Sequence, residues 1–287
     1  MKKFIIFIIG FFLIFSIAQA TFYVAKPSNK KMYVSQPASS KMYVNMSPVN
    51  LLTSGLILYQ TFDGKYVNWT GTNASTTDIS GSGNHGSTVL LTQNYVRAGK
   101  LGQAFFFDGG SGSRGVIIPN TGSISTLGSS TAVAACFWAK QTAAVINRTL
   151  FSKSNTGTDN SFELRVGNSG TQIAMHIATS TADPPGNNFG ITPVSSWSAG
   201  VWHHVCTSYD GTQSGNAARL QIYIDGVNQV LAFTGTITFQ LASSTQPLGI
   251  GKSGANGLTW NGIIDDFRLY NRPLTQAEVS MLYTQTK

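Results

Sequence analysis

Acidic residues are scarce in this chain: 11 in 287, against 19 lysines and arginines, and only Glu163 and Glu278 are glutamates. A glycoside-cleaving site in its usual form needs two carboxyl groups across the scissile bond. Glu163 stands alone in SFELRVG, and Glu278 follows a helix-start signal. The Gly-x-Ser-x-Gly elbow, the His-Glu-x-x-His motif and the phosphate loop are all missing, so the familiar hydrolase and nucleotide-binding chemistries have no carrier. Cysteine is limited to Cys136 and Cys206, which lack the spacing of a zinc site. Both lie in strand-like runs (AACFWAK and HHVCTSYD), where a bridge and two buried thiols are alternatives that the sequence leaves open. Long helical periodicity is absent as well.

The formal net charge of +8 invites a nucleic-acid reading, but its location argues against one. No acid occurs before residue 51, whereas Lys2, Lys3, Lys26, Lys30, Lys31 and Lys41 do; beyond residue 50 there are 13 basic and 11 acidic residues. The folded part is therefore nearly neutral and carries no phosphate-binding stripe.

The start, MKKFIIFIIGFFLIFSIAQA, has a basic end, a short apolar segment and small residues before a cleavage point after Ala20. Residues 1–20 are expected to be a signal peptide, with export to the cell surface or beyond. The apolar run is shorter than the ~20 residues a spanning helix usually needs, and no second run could span a membrane. Three decapeptides follow, FYVAKPSNKK, MYVSQPASSK and MYVNMSPVNL. Their prolines oppose central strands. Residues 21–50 are therefore read as a semi-extended spacer, or as a basic, tyrosine-bearing contact segment for an anionic wall polymer.

From Leu51 the texture changes. Short apolar alternations separated by turn signals, with no helical segments between them, predict an all-β, two-sheet antiparallel sandwich over residues 51–287. Asp108, Asp210 and Asp225 each precede glycine and are assigned to tight turns. The expected helix is short and C-terminal. Thr275 is its N-cap, Glu278 completes a capping box, and Leu274 with Val279 forms a hydrophobic staple. His203 and His204 alternate across a strand and are read as framework residues, while His85 and His176 have no close sequence partner.

One stretch resists this bland reading. In GIIDDFRLY two aspartates sit in an apolar strand, where charge is costly unless compensated. A two-residue period puts Asp265 with Ile263, Phe267 and Leu269, and Asp266 with Arg268. Asp266 is thus expected to pair with Arg268 or a cross-strand base.

Four stretches taken together resemble the laminin-G-like (LamG-like) domains of the concanavalin A-like lectin/glucanase superfamily. They are LILYQTFDG with DISGSGNHG, then GKLGQAFFFDG, then WHHVCTSYDG with LQIYIDG, and finally GIIDDFRLYNRPLTQAEV, which span about residues 55–284. The resemblance implies a jelly roll, on which lectins, adhesion modules and glycosidases all occur. The Glu-x-Asp-x-x-Glu pattern of the related glycosidases has no counterpart here, so no catalytic residue is assigned. The resemblance also implies a structural calcium, held by Asp265 with Asp63 and the carbonyl of Asn84. The alternative is that Asp265 accepts backbone N–H groups and pins the chain ends without metal. For a glycan ligand, Trp69, Trp197 and Trp260 in polar surroundings are candidate stacking platforms, with Tyr66 and Asn68 near the first and Asn256 near the last; the alternative for each is a loop anchor. The expected partner is a surface or extracellular glycan, bound by a non-catalytic carbohydrate-binding or adhesion module. The runner-up is a structural surface or protein–protein interaction domain without a sugar site.

Overall fold

A computed structural model describes residues 52–287 apart from 111–113, 156–158, 184–186 and 254–257. The expected signal peptide and the decapeptide repeat lie outside the described residues. Two antiparallel sheets face each other, confirming the predicted sandwich. One has eight strands: β1 (Leu56–Gln60), β5 (Val96–Ala98), β6 (Gln103–Asp108), β8 (Ala132–Gln141), β13 (Trp202–Asp210), β14 (Leu220–Ile224), β15 (Val227–Asn228) and β18 (Asn261–Tyr270). The other has ten: β2 (Val67–Asn68), β3 (Ser75–Thr76), β4 (Gly86–Val89), β7 (Gly115–Ile118), β9 (Thr149–Asn155), β10 (Asp159–Val166), β11 (Ile173–Ile177), β12 (Phe189–Ile191), β16 (Ala232–Thr234) and β17 (Leu248–Ile250).

Alternation builds the core. In β10, Phe162, Leu164 and Val166 point inward, and in β11 Ile173, Met175 and Ile177 do so, which sends Glu163, Arg165 and His176 to the outer face. Phe137, Phe151 and Phe267 interlock at centroid distances of 5.5–5.8 Å between the sheets. Asp225 and Gly226, at φ of 53° and 79°, form the two-residue turn joining Ile224 to Val227. Asp-Gly suits a turn in which both central residues need positive φ.

A smaller apolar cluster lies on the outer face of the eight-stranded sheet, where Cys136, Cys206, Tyr223 and Tyr270 are covered by Leu274, Val279 and Leu282. The C-terminal helix, Gln276–Thr286, carries the last two of these. Its capping box is formed as expected: Thr275 caps Glu278 N–H, and Glu278 accepts from Thr275 N–H. Arg272 adds an ion pair to Glu278 at 2.6 Å, so this glutamate is fully engaged in structure. Cys136 and Cys206 are directly opposed on β8 and β13, with Cα atoms 4.1 Å apart, and are joined by a disulfide. No helix among the described residues is long and apolar enough to cross a membrane.

Candidate functional site

The Asp265–Asp266 pair sits where β18 changes partners. Along one edge, residues 261–264 pair with β6 and residues 267–270 pair with β1, so the two aspartates fall in the gap. Asp266 has φ of 54°, and the register with β8 slips between Asp265 and Arg268. This bulge corrects the expectation from strict alternation. Ile264, Phe267 and Leu269 all enter the core, whereas Asp265 opposes Trp138 and Arg268 opposes Cys136 on the outer face. An extra residue in a strand shifts every later side chain by one position, which the two-residue period cannot anticipate.

Asp266 meets the partner expected of it. It bonds Arg268 at 3.1 Å and accepts the Tyr59 hydroxyl at 2.6 Å, while Arg268 stacks 4.4 Å over the Tyr59 ring. Burial still raises its pKa, with the Arg268 charge acting in the opposite direction. Asp265 is fully buried and accepts one bond, from Leu101 N–H at 2.8 Å; its Oδ1 has no partner. Burial pushes its pKa up to about 7, opposed by the Leu101 bond and reinforced by the Asp266 and Asp63 charges. The loop before β6 closes over this corner. A Cβ at Gly99 would stand 3.0 Å from Asp265 Cγ, and Gly102 adopts φ of +61°. Asp63 Oδ1 accepts from Gln103 N–H at 2.9 Å.

A hard cation fits this corner in part. The orphaned, buried Asp265 oxygen beside a second carboxylate is what calcium would satisfy. Asp63 and Asp265 both lie against the 99–102 loop, and their charges act on each other. Asn84, expected to offer its carbonyl, uses its side-chain amide to donate to Ile57 O and to Ser123 Oγ, at 2.6 and 2.7 Å. Its N–H donates to Asp78, whose carboxylate also accepts from Tyr59 N–H and Ser80 and shapes the 78–84 loop. Asp78 opens the DISGSGNHG stretch of the family resemblance, which by itself assigns it no role. Among the described residues, the one group of three acids, histidines or cysteines close enough to share an ion is Cys136, His204 and Cys206, and its two sulfurs are bonded to each other. Burial holds His204 down at about 3, and His203 bridges Asp225 and Ser198, so both histidines serve the framework.

The candidate stacking residues separate sharply. Trp197 and Trp260 are at most 1% exposed and meet edge-to-face at 5.9 Å inside the core. The Trp197 indole N–H donates to Gln141. Neither ring is available to a sugar: Ser195, Ser198 and Gly200 around Trp197 face water while its indole turns inward, and Trp260 is buried together with its neighbour Thr259. This overturns their assignment as platforms. Asn256 lies outside the described residues. Asn68 points away from Val67 and Trp69 across β2, and its Oδ1 accepts from Thr70 N–H, so it does not line the cleft beside Trp69; nor does Tyr66, over which Lys65 sits at 4.8 Å.

Trp69 remains. It is half-buried, packs edge-on against Phe105 at 6.0 Å, and lines an open cleft of about 230 Å³ with Phe62, Val67, Val96, Gln93 and Gln103. Gln103 Oε1 accepts from Gly64 N–H at 2.7 Å, which fixes the orientation of the amide. The two glutamines come from separate elements; Gln103 lies in the GKLGQAFFFDG stretch of the family resemblance, but no sequence feature pointed to either as a ligand contact.

No curated protein matches the sequence. Among solved structures, domain 4 of the GH43 extracellular arabinanase AbnA from Geobacillus stearothermophilus, in complex with arabinotriose, is 18% identical with a TM-score of 0.55, over 80% of this chain and 98% of that one. The binding domain of Paraclostridial Mosquitocidal Protein 1 is 14% identical with a TM-score of 0.53, over 82% of this chain and 53% of that one. The binding domain of botulinum neurotoxin DC, in complex with rat synaptotagmin II, is 13% identical with a TM-score of 0.56, over 82% and 52%. The chain thus spans about half the length of the toxin domains, and at these identities the likeness is one of fold. A laminin-G family model matches residues 108–280, more than half of the chain and including three of its Asp-Gly turns, the WHHVC strand and the Asp265–Asp266 strand; the chain belongs to the concanavalin A-like lectin/glucanases superfamily.

Proposed function

We infer that this protein is an exported, non-catalytic carbohydrate-binding module that acts at or outside the cell surface. The observation that carries this reading is the Trp69 cleft. A half-buried indole with two carboxamides beside it offers a flat apolar face and hydroxyl-matching polar groups. The fates of the acids support a binding role over hydrolysis. Glu278 is consumed by the helix cap, and Asp266 by Arg268 and Tyr59. Residues 1–20 would direct export and 21–50 would hold the domain away from its point of attachment. A calcium ion held by Asp63 and Asp265 would neutralise the buried carboxylate and fasten the end of β1 to β18; carbonyl oxygens and water would complete its shell.

A glycan array on the purified protein tests the reading. Expected is binding to a defined glycan class that falls at least about tenfold in Trp69→Ala, in keeping with the loss of one stacking anchor. No glycan signal, or binding indifferent to Trp69→Ala, would refute it and favour a structural or protein-binding surface domain.

A further inference from the structure

The outer face of the ten-stranded sheet carries a second polar site. Glu163 on β10 and His176 on β11 are cross-strand partners, 1% and 4% exposed. Both His176 ring nitrogens, Glu163 Oε2 and the neighbouring Ser161 Oγ are buried without a hydrogen-bond partner. Such groups are rare in folded proteins because each forfeits its hydration without compensation. Several together on one sheet face point to a ligand or ordered water that completes them.

His176 also lines an open cleft of about 320 Å³, with Asn147, Arg165, Asn168, Phe189 and Thr234 among its walls. The Phe189 ring lies 4.9 Å from the His176 ring and is half-buried, so it presents apolar surface to the cleft. Arg165 makes no hydrogen bond or ion pair with any described residue. It stands beside His176 and Glu163: burial raises the Glu163 pKa against the pull of the Arg165 charge, whereas burial and then that charge lower His176 to about 3. The one carboxylate at hand, Glu163, is buried and held by Thr149. A nearby acid, Asp183, is occupied by Thr179, Asn187 and Asn188.

We propose that this cleft binds a carboxylate-bearing sugar, with the Arg165 guanidinium taking the carboxylate and Phe189 lying against the ring. A single unpaired guanidinium matches one carboxylate, for which the planar two-donor fork is suited. A polyphosphate or nucleic acid would call for several cations, and Arg165 is the one cation among the residues lining the cleft. Asn147, Asn168 and Thr234 supply neutral partners for hydroxyl groups. His176, kept neutral by burial, offers one donor and one acceptor, which a hydroxylated ring can use. The proposal extends the glycan-binding reading but rests on a cleft separate from that of Trp69.

Isothermal titration of the purified protein with digalacturonate and its dimethyl ester, and with 3′-sialyllactose and lactose, tests it. The acid of one pair is expected to bind at least about tenfold more tightly than its neutral counterpart, and high salt should shrink the difference. Arg165→Gln should erase the preference, Arg165→Lys should restore part of it, and Phe189→Ala should weaken acid and neutral forms alike. Melting temperatures of the variants verify that they fold. Equal affinities within both pairs, no binding of either acid, or a preference that survives Arg165→Gln would overturn the proposal. Trp69→Ala separates the two sites: neutral-glycan binding lost in Trp69→Ala with no acid preference defeats this proposal alone, whereas an Arg165-dependent acid preference with no Trp69 dependence defeats the Trp69 cleft alone.

Discussion

Replacing Asp265 by asparagine should make the protein progressively more stable than the parent as pH rises. Asp265 is fully buried with one oxygen unpartnered, and its pKa is displaced from 3.8 to about 7. A carboxyl whose folded pKa lies above its unfolded value contributes stability that is fully present below pH ~4 and lost as pH rises through 7. Three units at about 1.4 kcal/mol each give a total of about 4 kcal/mol, of which about 3 kcal/mol falls between pH 5 and 9. The charged groups around it are Asp266 and Arg268 on β18, Asp63 after β1, and Lys100, whose Nζ lies 4.6 Å over the Trp138 ring on the opposing strand. Lys153, buried and lowered to about 8, titrates in the same window. It cancels in the difference between parent and variant. Urea unfolding followed by tryptophan fluorescence, in excess chelator at pH 5, 7 and 9, measures that difference. A stability gap that stays flat across pH would refute the desolvation argument. The calcium proposal adds a second arm: millimolar calcium should restore the parent at pH 9 and leave Asp265→Asn unchanged.

Removing the disulfide by the paired change Cys136→Ala and Cys206→Ala should cost about 4 kcal/mol by the loop-entropy relation, since the bridge closes 70 residues; a loss under ~1 kcal/mol in chemical denaturation would contradict it. Thr275→Ala should cost about 1 kcal/mol through the lost helix cap, and hydrogen exchange should show the loss concentrated in residues 276–286. Trp260→Ala should lower stability by roughly 3–5 kcal/mol while leaving glycan specificity intact, which a glycan array on the folded fraction would read. Asp63→Ala should weaken glycan binding several-fold without touching the cleft, because it frees the Gln103 backbone; an unchanged affinity would show that Gln103 is held by other means.

What could be read in advance was local. The Thr275–Glu278 capping box and the Asp225-Gly226 turn are specified by residues three positions apart or fewer, and both formed as expected. The sandwich itself was legible because alternation repeated over many short segments. The Cys136–Cys206 bridge was not, because opposing them depends on the register of β8 against β13 across some seventy residues. Trp197 and Trp260 were misleading for another reason. At Trp197 a loop of small polar residues inserts one indole into the core while Ser195, Ser198 and Gly200 face water, and at Trp260 the polar neighbours Ser253 and Thr259 are themselves buried. Gln93 and Gln103 meet Trp69 through tertiary packing alone, so no spacing announced them.

The acid pair and the Trp69 cleft, which look unrelated in the sequence, are parts of one structure. Because β6 and β1 share an edge of β18, the strand has a gap at residues 265–266, and the bulge turns both carboxylates outward there. The loop over residues 99–102 fills the gap by donating Leu101 N–H to Asp265. The next residue, Gln103, is held twice, by Asp63 through its N–H and by Gly64 through its side-chain oxygen. The chain entering the cleft wall is therefore held by the buried Asp265 at Leu101 and by the half-exposed Asp63 at Gln103. A proton or a cation at Asp265 relieves the repulsion among Asp63, Asp265 and Asp266, and so tightens the loop that orients Gln103. On this argument Asp265 acts on the cleft through Leu101 and Asp63 through Gln103. Neutralising Asp265 should therefore raise hydrogen-exchange protection at residues 101–103, and unchanged protection there would refute the coupling.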